Sequence, residues 1–445
     1  ELMLVSEQQE IEIGKDASPS LNWDFGGQYH DQALDIYFNG IVSRIWQNSE
    51  RPYLPVKFYI QNTSLPNAFA LPGYVAITRG LLCDLENEAQ FAAVIGHETG
   101  HVMARHTAQR ISRATMQQLG LTLGGTALKG TRGADALMAV GAIGSSLFLL
   151  RYDRGQEIQA DRLGVNYMAK IGYNPNEALT AHSVLETSVN NYLRRIGKSS
   201  NEDNFITDIL STHPRKEVRL SEIQSMINEL QAYSIAGDGK FSARFQTEIK
   251  RIKEINKIYF IYDEAESYYR KGDFKSAELK LENAINLNKE QAPFYNLLGF
   301  VKLQEKDYKA AKGLYDKALS IDSGYQPAIY GMGLISFFQE DYQSAIYEFK
   351  RSLSLYPNHP GTHFGMGKSY FFLRRYKEAI PYLRDFAGAV PNHPEVHGLV
   401  GICYENTGDI ESAVQEYRYQ IKIAPDTERG VHAKNRLAAL EPLLN

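Results

Sequence analysis

Apolar positions early in the chain recur at helical spacing. Ala33, Ile36, Tyr37, Ile41 and Ile45 form one stripe of a helix over 32–46, and the more polar Glu7 to Lys15 is also read as helical. The period then shortens. Val56-Lys-Phe58-Tyr-Ile60 and Tyr74-Val-Ala-Ile-Thr78 read as strands, so a small antiparallel sheet is expected before the next helix. That helix has Asp84 as its expected cap, Glu86 and Glu88 in a first turn where the helix dipole favours anions, and Phe91, Val94 and Ile95 as its apolar stripe. Ala114 to Leu150 follows, rich in Gly, Ala, Leu and Met, with Lys129 to Asp135 as a polar break. A helical hairpin tucked against the core is the plainer reading of 114–150; the alternative is a flap that covers a cleft or makes peripheral membrane contact. Its most apolar run, Ala136 to Leu150, has 15 residues, short of the roughly 20 that cross a bilayer, so no transmembrane helix is expected.

Ser234 to Gly239 breaks the pattern, and beyond it the chain repeats. Ala277, Ala311, Ala345, Ala379 and Ala413 are each separated by 34 residues, as are Asp273, Asp307, Asp341, Arg375 and Asp409, while Gly299, Gly333, Gly367 and Gly401 precede four of the alanines by 12. This is the helix-turn-helix period of tetratricopeptide repeats. The expected organisation is a domain over 1–250, a linker at about 236–257, and five repeats plus a C-terminal capping helix over 258–445. The fold class is therefore mainly α with a small antiparallel β-sheet, followed by an α-solenoid. Such arrays bind protein partners on a concave face, here lined by Tyr295, Ile329, His363 and His397. The pairs His359/His363 and His393/His397 have metal spacing, but they recur with the repeat and are read as structural.

The net charge of -4 gives no basic footprint, so nucleic acid is not an expected partner. Cys83 and Cys403 lie in different predicted domains and form neither a disulfide framework nor a metal knuckle. The chain opens at Glu1 without a basic-then-apolar leader, so any targeting segment is expected to have been removed. Candidate chemistry concentrates in His97-Glu98-Thr-Gly-His101. Histidines four apart on a helix are separated by about 40° of rotation, so both imidazoles can reach one metal ion, and Glu98 can hold the attacking water without ligating. His106, nine residues from His97, would be turned about 180° away on a continuous helix and is read as a structural hydrogen-bonding histidine. Downstream, Glu157 and Asp161 again lie four apart, so that one carboxylate can complete a zinc site while the other orients a ligand histidine. An edge strand beside the metal could hold extended substrate.

Three segments in this order, Asn67-Ala-Phe-Ala-Leu-Pro-Gly73, His97-Glu-Thr-Gly-His-Val-x-x-Arg-His106 and Tyr152-x-Arg-x-x-Glu-x-x-Ala-Asp161, resemble metallopeptidase family forty-eight over roughly the first 250 residues. The resemblance implies a zincin-type zinc endopeptidase with one zinc per chain, His97, His101 and Glu157 as ligands, Glu98 as general base, and Asp161 orienting a ligand. It implies Asn67, Ala68, Phe69 and Ala70 on the substrate side, where many members have two glycines after Leu-Pro and this chain has Gly73 alone. The segment Ser211-Thr-His213-Pro214 resembles the family's periplasmic branch, with His213 either stabilising the oxyanion or standing as a candidate fourth metal ligand that restrains the enzyme. Arg219 is a candidate substrate or oxyanion partner, against an ordinary ion pair. The branch that carries such repeats implies a periplasmic enzyme of envelope or outer-membrane protein quality control, acting on protein or peptide substrates. The competing reading is a chaperone or scaffold that works through the repeats with a restrained or vestigial metal site.

Overall fold

In the computed structural model, which describes residues 3–124, 152–197, 217–230 and 233–443, the chain divides into two units, Glu1–Ser267 and Tyr268–Asn445. The first opens with α1 (Glu7–Asp24), started by a capping box between Ser6 and Gln9, and α2 (Gln32–Gln47), capped by Asp31. The buried face of α2 is Leu34, Phe38, Ile41, Val42, Ile45 and Trp46; Ile36, expected inside, is 69% exposed because Leu34 and Phe38 continue the Ile41–Ile45 stripe one step round the helix.

Strands β1 (Phe58–Gln61), β2 (Ala68–Leu71) and β3 (Tyr74–Thr78) form one sheet in the order β1-β3-β2. β3 runs parallel to β1, with Phe58 opposite Val75, and antiparallel to β2, with Ala68 opposite Ile77. The sheet is therefore mixed, not antiparallel as expected. β2 and β3 form a hairpin across Pro72-Gly73, so β1 joins β3 only across an intervening strand, and that crossover makes the pair parallel. Gly73 at φ 86 supplies the positive φ that this turn needs, at one position.

The helices α3 (Arg79–Asp84), α4 (Glu88–Met103), α5 (His106–Gly124), α6 (Arg154–Lys170), α7 (Glu177–Arg195) and α8 (Glu217–Glu229) build the rest of this unit, with α9 (Ser242–Glu248) and most of α10 (Lys250–Arg270). The hairpin or flap expected over 114–150 lies outside the described residues beyond the end of α5. The expected linker at about 236–257 begins as one, with Gly237 and Gly239 at φ 61 and 68, but then becomes core. Phe245, Ile249 and Ile252 are fully buried, and Arg79 stacks over the Tyr259 ring at 3.7 Å. The units consequently divide after Ser267, inside α10, rather than near residue 250.

The second unit continues with α11 (Phe274–Leu287), α12 (Ala292–Gln304), α13 (Tyr308–Ile321), α14 (Gln326–Phe338), α15 (Tyr342–Leu355), α16 (Pro360–Phe372), α17 (Tyr376–Ala389), α18 (Val396–Thr407), α19 (Ile410–Ile423) and α20 (Glu428–Leu440). The period has a packing cause. A Cβ on Gly299 would lie 2.6 Å from the Tyr315 ring, one on Gly333 2.5 Å from Phe349, and one on Gly401 2.6 Å from Tyr417, so each large residue of a second helix sits on the bare backbone of the first. Asp273, Asp307, Asp341 and Asp409 cap those second helices through side-chain bonds to the backbone three residues on. Of the residues expected on an open concave face, Tyr295 and Ile329 are buried, while His363 and His397 are partly exposed. The histidines serve local contacts instead, His363 Nε2 lying 2.7 Å from the Pro357 carbonyl and His397 Nε2 3.1 Å from that of Pro391. Both cysteines are buried thiols. Among the described residues no helix is long and apolar enough to cross a membrane.

Candidate metal centre

Helix α4 begins at Asn87, whose side chain accepts from the Gln90 amide at 2.8 Å. The expected cap, Asp84, ends α3 and accepts from the Ser188 hydroxyl instead. Glu88, in the first turn of α4, is buried and accepts from the hydroxyls of Tyr37 and Tyr173 and from the Arg244 guanidinium, which together hold its pKa below the usual carboxylate range against the effect of burial. At the other end Arg51 donates to the Val102 carbonyl at 3.0 Å, and Arg105, at φ 60, breaks the helix. α4 is thus fixed at both ends.

Its middle packs on α6 through small residues. A Cβ on Gly164 would lie 2.8 Å from the His97 nitrogen, and one on Gly100 would lie 2.8 Å from the Ala160 carbonyl oxygen. This close approach carries Glu157, in the first turn of α6, to the histidines of α4. His97 Nε2 and His101 Nε2 are 3.0 Å apart, His101 Nε2 is 3.4 Å from Glu157 Oε1, and His97 Nε2 is 3.7 Å from Glu157 Oε2. Ligands at zinc distances of about 2.0–2.1 Å in a tetrahedron would be separated by about 3.3 Å. The two nitrogens and the carboxylate fit such an ion.

The outer ring nitrogens are held too. His97 Nδ1 is 2.8 Å from Asp161 Oδ1, and His101 Nδ1 is 2.8 Å from His106 Nδ1, whose Nε2 lies 3.1 Å from Gln159 Oε1. One tautomer set satisfies the second chain: His101 donates through Nδ1, leaving Nε2 for a metal, and His106 accepts at Nδ1 and donates from Nε2 to Gln159. Burial depresses the His106 pKa, which keeps it neutral for this part. The expectation that His106 points away from His97 on a continuous helix does not hold, because the turn at Arg105 starts α5 afresh and returns His106 to His101. Tyr152 stacks on the His101 ring at 3.7 Å and carries the Arg110 guanidinium at 3.8 Å, so that the ring of a candidate ligand is also fixed by packing.

His97, Glu98, Asn67, Ala68, Asp161 and Arg219 line one cleft. Phe69 and Ala70, expected on the substrate side, are buried, with Phe69 against Phe25 and Tyr74. Arg219 donates to Asp161 through Nε at 2.9 Å and Nη2 at 2.7 Å, and its Nη1 lies 2.7 Å from Glu157 Oε2. Asp161 is accordingly held well below the ordinary carboxylate range: burial opposes its charge, and His97, His182 and Arg219 outweigh burial. On His97 burial likewise opposes charge, and Asp161 and Glu157 outweigh it, so its pKa is raised. His182 on α7 was not singled out from the sequence; it lies in the cleft wall with Nε2 3.6 Å from Asp161 and 3.5 Å from Arg219 Nη2. His213 lies outside the described residues.

Residues 34–227 match the model of peptidase family M48. Residues 262–326 and 364–426 match that of tetratricopeptide repeats, and 304–386 match anaphase-promoting complex, cyclosome, subunit 3. Similar curated proteins include the beta-barrel assembly-enhancing protease of Yersinia pestis, 26% identical over 218 residues that make up 46% of this chain and 42% of that protein. The mitochondrial metalloendopeptidase OMA1 of Schizosaccharomyces pombe is 28% identical over 234 residues, 51% of this chain and 64% of its own length. OMA1 of Arabidopsis thaliana is 32% identical over 174 residues, 39% of this chain and 31% of its own length. The match spans less than two thirds of each relative. Residues 34–227 are a domain of the metallopeptidase family M48, and tetratricopeptide repeats follow it in the same chain.

Proposed function

We propose that the chain is a zinc-dependent endopeptidase with one zinc per chain, held by His97, His101 and Glu157. One observation carries the reading: two imidazole nitrogens and a carboxylate converge at tetrahedral spacing, and one of the imidazoles, His97, lines a cleft together with Glu98. When bound, zinc supplies Lewis acidity to the scissile carbonyl and the attacking water. Glu98 takes the proton from that water and later delivers it to the leaving amine. Asp161 orients His97, and His106 with Gln159 orients His101. Extended peptide lies along β2, with Asn67 and Ala68 at the cleft. The bonds of Arg219 to Glu157 and Asp161 favour a positioning part for it. His213 acts as a fourth ligand that restrains the enzyme, as an oxyanion partner, or as a structural loop residue; more cleavage by His213→Ala with zinc retained supports the first, lower turnover supports the second, and no change in either supports the third.

The repeats recruit or position protein substrates. Similarity to the beta-barrel assembly-enhancing protease supports a periplasmic place and a part in quality control of envelope or outer-membrane proteins; the segment 114–150 is either a hairpin on the core or the part that makes peripheral membrane contact. The deciding comparison is wild type against Glu98→Gln, with zinc measured by mass spectrometry and reduced casein as substrate. The variant is expected to keep its zinc and bind protein but lose cleavage. A wild type that carries zinc but cuts nothing, with Glu98→Gln retaining function in cells, would favour the scaffold.

A further inference from the structure

The polar residues that line the cleft are Asn67, His97, Glu98, Asp161, His182 and Arg219; the rest of the lining is apolar and comes from α3, α4, α6, α7, α8 and residues 66 and 68. Most of the polar ones have a part already. His97 and Glu98 belong to the metal site, Arg219 contacts Glu157 and Asp161 at 2.7 Å each, and Asn67 precedes β2, along which substrate is placed. His182 remains. It stands on α7 four residues after Ala178 and three before Leu185, so these three share one face of the helix, and all three line the cleft. Its ring is edge-on to that of His97, with centroids 6.5 Å apart.

The two nitrogens of His182 have different surroundings. Nε2 is turned into the wall, 3.5 Å from Arg219 Nη2 and 3.6 Å from Asp161 Oδ1. A guanidinium can only donate and a carboxylate can only accept, so whichever of the two engages Nε2, that nitrogen is spent within the wall. Nδ1 has no partner among the described residues and is not sealed in, the side chain being 22% exposed. Burial, aided by the charge of Arg219 and opposed by Asp161, depresses the pKa of the ring and keeps it neutral. An apolar group laid over Nδ1 would strip its water and leave it unpaired. An extended main chain brings an N–H and a C=O with each residue, and so a partner for either tautomer.

We propose that His182 is a substrate-binding residue: Nδ1 pairs with the main chain of the peptide in the cleft and holds that chain against α7 beside the bond that is cut. The inference rests on the metallopeptidase reading above.

The test uses the full chain loaded with zinc and three probes followed by calorimetry. Acetohydroxamate reports the metal alone. Acetyl-alanyl-alanine hydroxamate and the hydroxamate of malonyl-alanyl-alanine amide carry a main chain to opposite sides of the metal, with no polar side chain. His182→Phe keeps a ring and removes both nitrogens, His182→Asn places its amide about where Nδ1 stands, and His182→Gln about where Nε2 stands. His182→Phe and His182→Gln are expected to weaken one of the two peptide probes by about three- to tenfold, with acetohydroxamate binding and zinc content unchanged, while His182→Asn binds as wild type does. With a peptide substrate, KM is expected to rise in the two weakened variants and kcat to be kept. Rescue by His182→Gln and not by His182→Asn would mean that the ring acts through Arg219 and Asp161, and overturns the proposal. Equal weakening of all three probes, or no change in any variant, overturns it too and leaves the metallopeptidase reading standing. Should His182→Phe fail to fold by circular dichroism, the contrast between His182→Asn and His182→Gln decides, and equal behaviour of those two overturns the proposal. A wild type that binds none of the probes overturns the metal site itself, and the inference with it.

Discussion

Asp161 shows how much a single side chain settles at this site. It faces His97 Nδ1 at 2.8 Å and is fixed in turn by a two-point contact from Arg219, so the ring of a candidate ligand is held by a carboxylate that cannot itself swing. Asp161→Ala is expected to weaken zinc by about 10- to 100-fold, read by competition with a chromophoric chelator. That His97 and His101 share a face, and Glu157 and Asp161 another, was legible in the sequence because each pair is four apart on a helix; spacing left open which carboxylate joins the histidines, the family resemblance pointed to Glu157, and the structure brings Glu157 to them. The hydrogen-bonding part of His106 was legible but its partner was not, and His182 was not legible at all, for different reasons. The return of His106 to His101 depends on Arg105 in a left-handed conformation, which arginine rarely adopts and no neighbour announces. His182 is a lone histidine on an amphipathic helix, and its partner Asp161 lies 21 residues earlier on another helix.

Between elements, the decisive contact is the approach of α6 to α4. Added atoms at Gly164 would meet backbone of Gly96 and His97 at 2.8–3.3 Å, and backbone on two packed helices cannot move aside as a flexible side chain can. Gly164→Ala is therefore expected to cost about 1–3 kcal/mol by overpacking and, by moving Glu157 away from His101, to lower zinc affinity at least about tenfold. Thermal unfolding with and without a chelator separates the two effects. The strand β2 illustrates a limit of reading elements from local composition, since Ala-Phe-Ala-Leu carries no β-branched residue and becomes a strand through its pairing with β3. In the repeats, His397 has acceptors on both sides: Glu416 Oε2 at 2.6 Å from Nδ1 and the Pro391 carbonyl at 3.1 Å from Nε2. Both nitrogens carry protons in that arrangement, and the bond to Glu416 raises the pKa of His397. The folded array then holds its proton to higher pH than the unfolded chain, where histidine titrates at about 6.5. This stabilisation is complete below that value and is lost as pH rises through the raised folded pKa. Burial depresses His359, His393 and His432 of the same array, and these act in the opposite direction, so the part of His397 is read as a difference: the melting-point advantage of wild type over His397→Gln in circular dichroism melts is expected to be largest below about pH 6.5 and to shrink as pH rises.

At the scale of the molecule, α10 belongs to both units by chain but to the first by packing through Ser267. The 34-residue period assigned its residues to the repeats, because a repeat is recognised by spacing and spacing does not reveal what a helix face rests on. Tyr259 carries the consequence. Its hydroxyl accepts from Asn62 Nδ2 at 2.7 Å, its ring lies under the buried Arg79 guanidinium, and both partners belong to the first unit. Truncation leaves a cavity and removes the ring face that Arg79 rests on, while Asn62 and Ser64 keep their bonds to the guanidinium. Tyr259→Ala is therefore expected to cost the first unit about 3–5 kcal/mol, a fall in its midpoint on the order of 10 °C. Each unit has a core of its own, so scanning calorimetry of the full chain should resolve two transitions. The substitution should move one and leave the other, even though α10 runs into both. If both transitions shift together, the helix binds the two units into one cooperative block and the division after Ser267 is not a thermodynamic one.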